Sequence, residues 1–316
     1  MSAPLYLDDA ALAGLGVTPD AVRDSIAAAL TDQAENRLWT APKAALLPGD
    51  GRYVMATLAT GDGPGVSVVK SVMVSPGNPG RGLPAITGSI MVLDAQTGLL
   101  RAVLDAGWVT GVRTAGLSAL AARALANPQA RSVGFIGAGV QARSHLDAFR
   151  ALFPLSSVKV FGRGSANVDA LLDMARAAGL EARAAATARA AVEDVDIVVT
   201  SVTLDYTIEP FLDARWLRPG CFAAITDLAI PWHPEGMAGF GRVYVDDIEQ
   251  ERAAEKPMVA PGLIAGDLGS LAASPPGFDP DHRSAFIFRG MAIGDFAVAA
   301  LAVARARATG AGQPMG

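Results

Sequence analysis

The apolar run Val133, Gly134, Phe135, Ile136 breaks at Gly137-Ala138-Gly139-Val140-Gln141-Ala142, and a helix-forming segment follows. This Gly-x-Gly-x-x-Ala turn constrains the chain more than any other feature, because each small residue answers a different steric need. Gly137 permits the tight turn, Gly139 lets the backbone approach phosphates, and Ala142 lets the helix pack close to the strand. The helix N-terminus adds free N–H groups and a partial positive charge, which suit a dinucleotide's pyrophosphate. Glycines also punctuate ordinary strand-to-helix connections, so the turn needs its context. Residues 157–161, 195–200 and 221–225 are further β-type runs separated by alanine-rich helical stretches. That alternation predicts a doubly wound parallel sheet of Rossmann type.

At 316 residues and 51% hydrophobic content, the chain is long enough for two domains with substantial cores. Its formal net charge of -5 gives no general attraction to nucleic acid or anionic lipid, so no nucleic-acid partner is expected. No run approaches the roughly 18 apolar residues that span a bilayer, and no basic region precedes an apolar stretch at the N-terminus. The expectation is a soluble, cytoplasmic protein without a membrane partner. The lone cysteine, Cys221, lies in an apolar run and is read as a buried inert thiol. His145, His233 and His282 show no metal-ligand spacing, so no metal is expected. Each is read as a surface or helix-cap residue, with His233 the one placed to face a ligand.

Ahead of the glycine turn the texture changes. Residues 53–59, 66–74 and 89–94 are short β-type runs separated by Gly/Pro/Asp turns at 61–64 and 76–80. They predict a mainly antiparallel sheet. Residues 113–127 are rich in Ala and Leu and predict a helix running into the Rossmann-type strand. A last apolar helix over 295–308 is expected to pack back on the N-terminal domain, leaving a polar tail over 309–316 that frays. The fold expected is therefore α/β, with a Rossmann dinucleotide-binding domain over 113–290 and a mainly antiparallel α+β domain formed by 1–112 with 291–316.

Further residues recur in a recognisable order: Lys70 near the end of a β run, Asp94 with Thr97-Gly98, Arg113-Thr114-Ala115 before an alanine-rich helix, and the turn over 137–142. Thr200-Ser201-Val202-Thr203 and Thr226-Asp227 then follow later strands, with Gly266-Asp267-Leu268 and residues 290–295 beyond. Together, along nearly the whole chain, they resemble the ornithine cyclodeaminase/μ-crystallin family. The resemblance implies a nicotinamide cofactor, NADH or NADPH, and chemistry on a small-molecule α-amino or α-imino acid. It also implies a homodimer built through the α+β domain, which then serves for substrate binding and dimerisation. Members include cyclodeaminases, ketimine and imine reductases, an alanine dehydrogenase type, and lens or hormone-binding proteins, so the resemblance does not fix a substrate.

The resemblance further implies a basic trio on the substrate carboxylate, matched here by Lys43, Lys70 and Arg113, and an acid handling the proton on the substrate nitrogen, matched by Asp227. Residue chemistry agrees, since Arg113 offers a bidentate fork and the lysines offer point charges. A carboxylate at the C-terminal edge of a parallel strand also lies where such sheets place ligands. A solvated surface cation at Lys43 and a helix cap at Asp227 are the alternatives. Implied cofactor contacts fall on Arg113, Thr114, Gly137, Ala138, Gly139, Val140, Gln141, Arg163, Ser201, Val202, Thr203, Asp227 and Gly290.

Three local features refine the expectation. The stretch Arg52-Tyr53-Val54-Met55 has no acid where cyclodeaminases hold the distal amine of ornithine. Arg289 stands where the family usually has a small or aliphatic residue, which suits a second anionic group on the substrate, such as iminosuccinate, or else a structural ion pair. Residues 161–164 lack the acid that binds a ribose 2′-hydroxyl, and Arg163 can pair with a 2′-phosphate or stack on adenine, a lean towards NADP that leaves NAD usable. The expected function is NAD(P)H-dependent reduction of an α-imino acid to an α-amino acid, with Lys70 and Asp227 catalytic and Lys43, Lys70, Arg113 and Arg289 binding substrate. A lyase of cyclodeaminase type using NAD catalytically, and a non-catalytic binding protein, are the alternatives.

Overall fold

In the computed structural model, which describes residues 3–203 and 207–316, the chain folds as two units, residues 1–113 with 291–316 and residues 114–290. The first unit begins with β1 (Leu5–Leu7), α1 (Asp9–Ala13), α2 (Pro19–Ala34), β2 (Leu38–Thr40) and β3 (Ala44–Leu46). Three long strands follow, β4 (Tyr53–Gly61), β5 (Val66–Val74) and β6 (Ile86–Asp94), then β7 (Leu100–Asp105) and α3 (Ala106–Leu125). In β5 the two-residue period decides which side faces the core: Val66, Val68, Lys70 and Val72 are buried while Ser71 is exposed. Lys70 thus occupies a position that the pattern reserves for an apolar side chain. Helix α3 starts seven residues before the expected 113, because the Asp9 carboxylate accepts the Trp108 N–H at 2.7 Å and caps its first turn.

The second unit holds β8 (Ser132–Ile136), α4 (Val140–Leu152), β9 (Ser157–Phe161), α5 (Ser165–Ala177), β10 (Glu181–Ala184), α6 (Ala188–Val192), β11 (Ile197–Thr200) and β12 (Phe222–Ile225). It continues with β13 (Arg242–Val245), α7 (Ile248–Arg252), β14 (Ile264–Asp267), α8 (Leu268–Ala273) and β15 (Ser284–Ile287). Its sheet runs β10-β9-β8-β11-β12-β15-β13-β14, with every neighbouring pair parallel. The order reverses at β8, the switch point at which doubly wound sheets take their ligands. β11, β12 and β15 are buried along their whole length, as strands covered on both faces must be.

The chain returns to the first unit as α9 (Ala292–Thr309) and β16 (Gln313–Pro314). Helix α9 lies on α2, β4 and β5, with the Phe296 ring filling the space above Gly61, where a Cβ would come within 2.6 Å of it. The first sheet runs β16-β1-β7-β6-β5-β4-β2 with β3 on β4, and only its β1–β7 pair is parallel. The tail expected to fray is instead an edge strand, since Gln313 and Pro314 pair with β1 and the Met315 N–H donates to the Pro4 carbonyl. Among the described residues no helix is long and apolar enough to cross a membrane. Cys221 is buried, and burial pushes its thiol up to about 12, so it is inert.

Candidate active-site residues

In the second unit the glycine turn has the geometry that its sequence demanded. Gly137 adopts φ +89°, and a Cβ there would sit 2.6 Å from the Ser201 carbonyl oxygen, so only glycine fits. Nothing lies within 4 Å of where a Cβ on Gly139 would point, and Gly139 caps α4 without a side-chain hydrogen bond. The first N–H groups of this thirteen-residue helix are therefore left without a side-chain cap, while Ala142 is fully buried against the sheet. Ser201 Oγ is buried and has no hydrogen-bond partner among the described residues. An open backbone, a helix N-terminus and an unsatisfied buried hydroxyl fit a dinucleotide's pyrophosphate. Val140 and Arg163 are exposed, and Gly162 lies against Ala138 of the turn.

Asp227 lies just past the end of β12 and is 1% exposed. Thr200 Oγ1 and the Val202 N–H each donate to it at 3.0 Å, and the Ala229 N–H also reaches it. Leu228 and Ala229 both have left-handed backbones, φ +58° and +57°, a costly arrangement for two successive side-chain-bearing residues, of order 1 kcal/mol or more each. That turn is what directs the Ala229 N–H back onto the carboxylate. Burial pushes the Asp227 carboxyl up to about 6, against the lowering effect of its donors. Thr200 is itself held from behind, by Trp232 Nε1 at 3.4 Å.

In the first unit, Lys70 from β5, Arg113 from α3 and Asp295 from the first turn of α9 meet in the interior, at 0%, 3% and 1% exposure. Lys70 Nζ and Arg113 Nε each lie 2.9 Å from Asp295 Oδ1, and Thr57 Oγ1 donates to Oδ2 at 2.9 Å. Burial lowers the Lys70 amine to about 8, with Asp295 resisting and the Arg113 and Lys43 charges adding to the fall. Lys43, half-buried just ahead of β3, is thus near enough to act on Lys70. For Asp295, burial alone would raise the carboxyl, but the Arg113 and Lys70 charges, with hydrogen bonds from Lys70 and Thr57, hold it below the usual carboxylate range.

Other expected residues have different surroundings. The guanidinium of Arg289 is engaged by the buried Glu251 carboxylate at 3.0 and 2.7 Å and by the Lys256 carbonyl at 2.9 Å, the ion-pair alternative raised by the sequence. Asp246 accepts from the Arg289 and Gly290 N–H groups at 3.1 and 2.6 Å, fixing the turn in which Gly290 adopts φ +109°. Thr114 is buried in α3, Gln141 and Val202 are partly buried, and Thr203 is exposed. His145 corrects the expectation of a surface histidine. It is wholly buried between the Gln141 carbonyl at 2.7 Å and Ser118 Oγ at 2.9 Å, and burial lowers its ring to about 4. His233 is partly exposed, 3.7 Å from Glu235.

The sequence reading missed Asp295 and Thr200. Asp295 carried a signal, because it is the single acid in a helix whose other residues before Arg305 are apolar. Thr200 was quoted only as part of a motif, and nothing local distinguishes its hydroxyl from those of its neighbours.

Residues 15–228 match the model of the ornithine cyclodeaminase/mu-crystallin family. A putative dehydrogenase of Rhizobium meliloti is 31% identical over 77% of this chain and 78% of its own. A Delta(1)-pyrroline-2-carboxylate/Delta(1)-piperideine-2-carboxylate reductase of Azospirillum brasilense is 32% identical over 63% of each chain. The structure of Thermococcus litoralis Delta(1)-pyrroline-2-carboxylate reductase in complex with NADH and L-proline shares the fold, with a TM-score of 0.89 at 23% identity, covering 98% of this chain and 100% of that one. With the glycine turn and the ordered motifs lying in that frame, the chain belongs to the ornithine cyclodeaminase/mu-crystallin family.

Proposed function

We propose that this chain reduces a compact α-imino acid to the corresponding α-amino acid with NADH or NADPH. The observation that carries the reading is the buried pair Lys70 and Arg113, gathered around one carboxylate with Lys43 close by. Cations held together in the interior suit an anionic ligand, and a substrate carboxylate is such a ligand. Arg113 offers it a planar fork and the lysines offer point charges. The relative from Azospirillum brasilense, named for ring imino acids, supports the same class of substrate.

The turn over 137–142, the α4 N-terminus and Ser201 would hold the pyrophosphate of the cofactor, which supplies a hydride when bound. The substrate enters as an iminium. Its carbon gains the hydride pair, the C=N π electrons move to nitrogen, and the positive charge is discharged, leaving an amine. Asp227, ionised above about 6, holds the nitrogen's N–H through that change. Holding the acid group in a fixed orientation is worth several kcal/mol of barrier.

The neighbourhood of Lys70 favours a short or ring-shaped side chain. Lys70 lies opposite Thr57, and two residues along the same face Val72 lies opposite Met55. Val72 and Met55 are apolar, so that pair offers a distal amine no partner. Arg289 is committed to Glu251, which makes iminosuccinate the less favoured acid. The exposed Arg163 and the lack of an acid over 161–164 support use of both cofactors with a preference for NADPH.

A homodimer is part of the reading. Leu58, Val69, Met91 and Val103 stand in register across β4 to β7 on the face away from Lys70, with Leu58 and Met91 at 47% and 45% exposure and Trp39 nearby on β2 at 49%. A second copy covering this apolar row would show as a dimer by sedimentation, reduced by Met91→Asp.

Purified protein given pyrroline-2-carboxylate, piperideine-2-carboxylate or iminosuccinate with each reduced cofactor tests the function. Fastest cofactor consumption is expected with a ring imino acid. Ammonia release from ornithine without net consumption would replace the reading with cyclodeamination. Tight cofactor binding with no turnover would replace it with a binding role.

A further inference from the structure

Asp295 joins three elements at one point. Its Oδ1 is shared by Lys70 Nζ and Arg113 Nε at 2.9 Å each, while Thr57 Oγ1 fixes Oδ2 from β4. The four residues are 5% exposed or less. Thr57 is the cross-strand partner of Lys70, so the strand register itself sets where the carboxylate sits relative to the amine. Lys70 and Arg113 thus meet at one carboxylate oxygen, and the Lys43 charge also acts on Lys70.

We propose that Asp295 is a positioning residue for the carboxylate clamp: pinned by Thr57, it sets the spacing of Lys70 and Arg113 and keeps Lys70 charged, so that two oriented cations meet one substrate carboxylate. The inference rests on the reading of Lys70 and Arg113 as that clamp. Among the described residues the charged groups acting on Lys70 are Asp295 from α9, Arg113 from α3 and Lys43 from the segment before β3. Two of the three are cations, and burial works in the same direction as they do. Asp295 is the group that opposes them and retains the proton. Its place in the first turn of α9, at the positive end of the helix, stabilises it as an anion.

Asp295→Asn keeps the shape and removes the charge. The readout is calorimetric binding of pyrrole-2-carboxylate, a planar acid that cannot be reduced, to protein loaded with NADPH across pH, together with separate kcat and KM. Wild-type affinity is expected to fall above about pH 8, where Lys70 loses its proton. In Asp295→Asn that midpoint moves down by about one unit or more, so binding at about pH 8 weakens roughly tenfold while binding at about pH 6 changes by only a few-fold. Adding Lys70→Arg to the Asn variant removes the midpoint, because a guanidinium keeps its proton. A purely structural Asp295 would weaken binding equally at both pH values with the midpoint unmoved, and that result overturns the proposal alone. Failure of the wild type to bind the acid at any pH overturns the clamp itself and the proposal with it. If Asp295→Asn does not fold, Thr57→Val serves in its place: a KM raised several-fold with kcat retained is expected, and an unchanged KM overturns the role.

Discussion

Asp295 in the first unit and Asp227 in the second are each 1% exposed, yet their carboxyls move in opposite directions. Burial raises both. Around Asp227 the donors are neutral, a threonine hydroxyl and backbone N–H groups, and burial wins, carrying it to about 6. Around Asp295 stand two cations, and they outweigh burial. The comparison teaches that the charge on the nearest partners, rather than depth, decides what a buried carboxylate can do. One held low is a fixed negative charge for organising cations. One held near neutrality can attend to a substrate proton. In the proposed reaction the first serves the acid group and the second serves the nitrogen.

The sharpest way to break this contrast is Asp295→Ala, which strands Lys70 and Arg113 in the interior. A loss of about 3–5 kcal/mol is expected in denaturant unfolding. Because the folded carboxyl is held below its ordinary value, the stability that it contributes is present at neutral pH and disappears as pH falls through the folded value. Wild type and variant should therefore converge in acid.

Asp227→Asn should behave in the opposite sense. The folded carboxyl at about 6 lies above its ordinary 3.8, so the native state holds the proton more tightly and stability declines as pH rises between those values. The variant should match or exceed wild-type stability above about pH 6, by at most about 3 kcal/mol, while kcat falls at least about a hundredfold. Calorimetric Tm at two pH values with steady-state kinetics separates these effects.

Arg289→Ala sharpens the contrast by testing a cation that the proposal leaves out. It removes the partner of buried Glu251, so a loss of about 2 kcal/mol is expected, with all imino acids affected alike. Selective loss of a dicarboxylic substrate would return Arg289 to the site. The smallest effect belongs to Thr200→Val, which deletes one donor to Asp227. About 1 kcal/mol is expected, seen as an acid limb of the rate profile displaced to higher pH.

What could be read from the chain before its structure divides along physical lines. The glycine turn, the β-type runs and the placement of Asp227 at a strand end depend on local pattern, and pattern was enough. Lys70 stood out because a charge interrupts the valines of β5. The partner of Lys70 did not, since Asp295 is 225 residues away and only the packing of α9 on β5 brings them together. The same holds for Arg289 and Glu251, 38 residues apart, and for His145, whose helix reads as amphipathic while its ring is satisfied by Ser118 on another helix. The tail looked polar enough to fray, but backbone hydrogen bonding to β1 depends little on side-chain polarity. The strands β13, β14 and β15 were not read, and β15 enters the sheet between β12 and β13, out of chain order.

The most direct test is the pH dependence of kcat/KM for pyrroline-2-carboxylate reduction in wild type and Asp227→Asn, followed by loss of the reduced cofactor. The wild type should turn over, with activity declining below about pH 6 as Asp227 takes up a proton, and the Asn variant should retain at most about a hundredth of the rate with that decline abolished. A wild type that consumes neither NADH nor NADPH with any imino acid, or a variant with an unaltered rate and profile, would contradict the account.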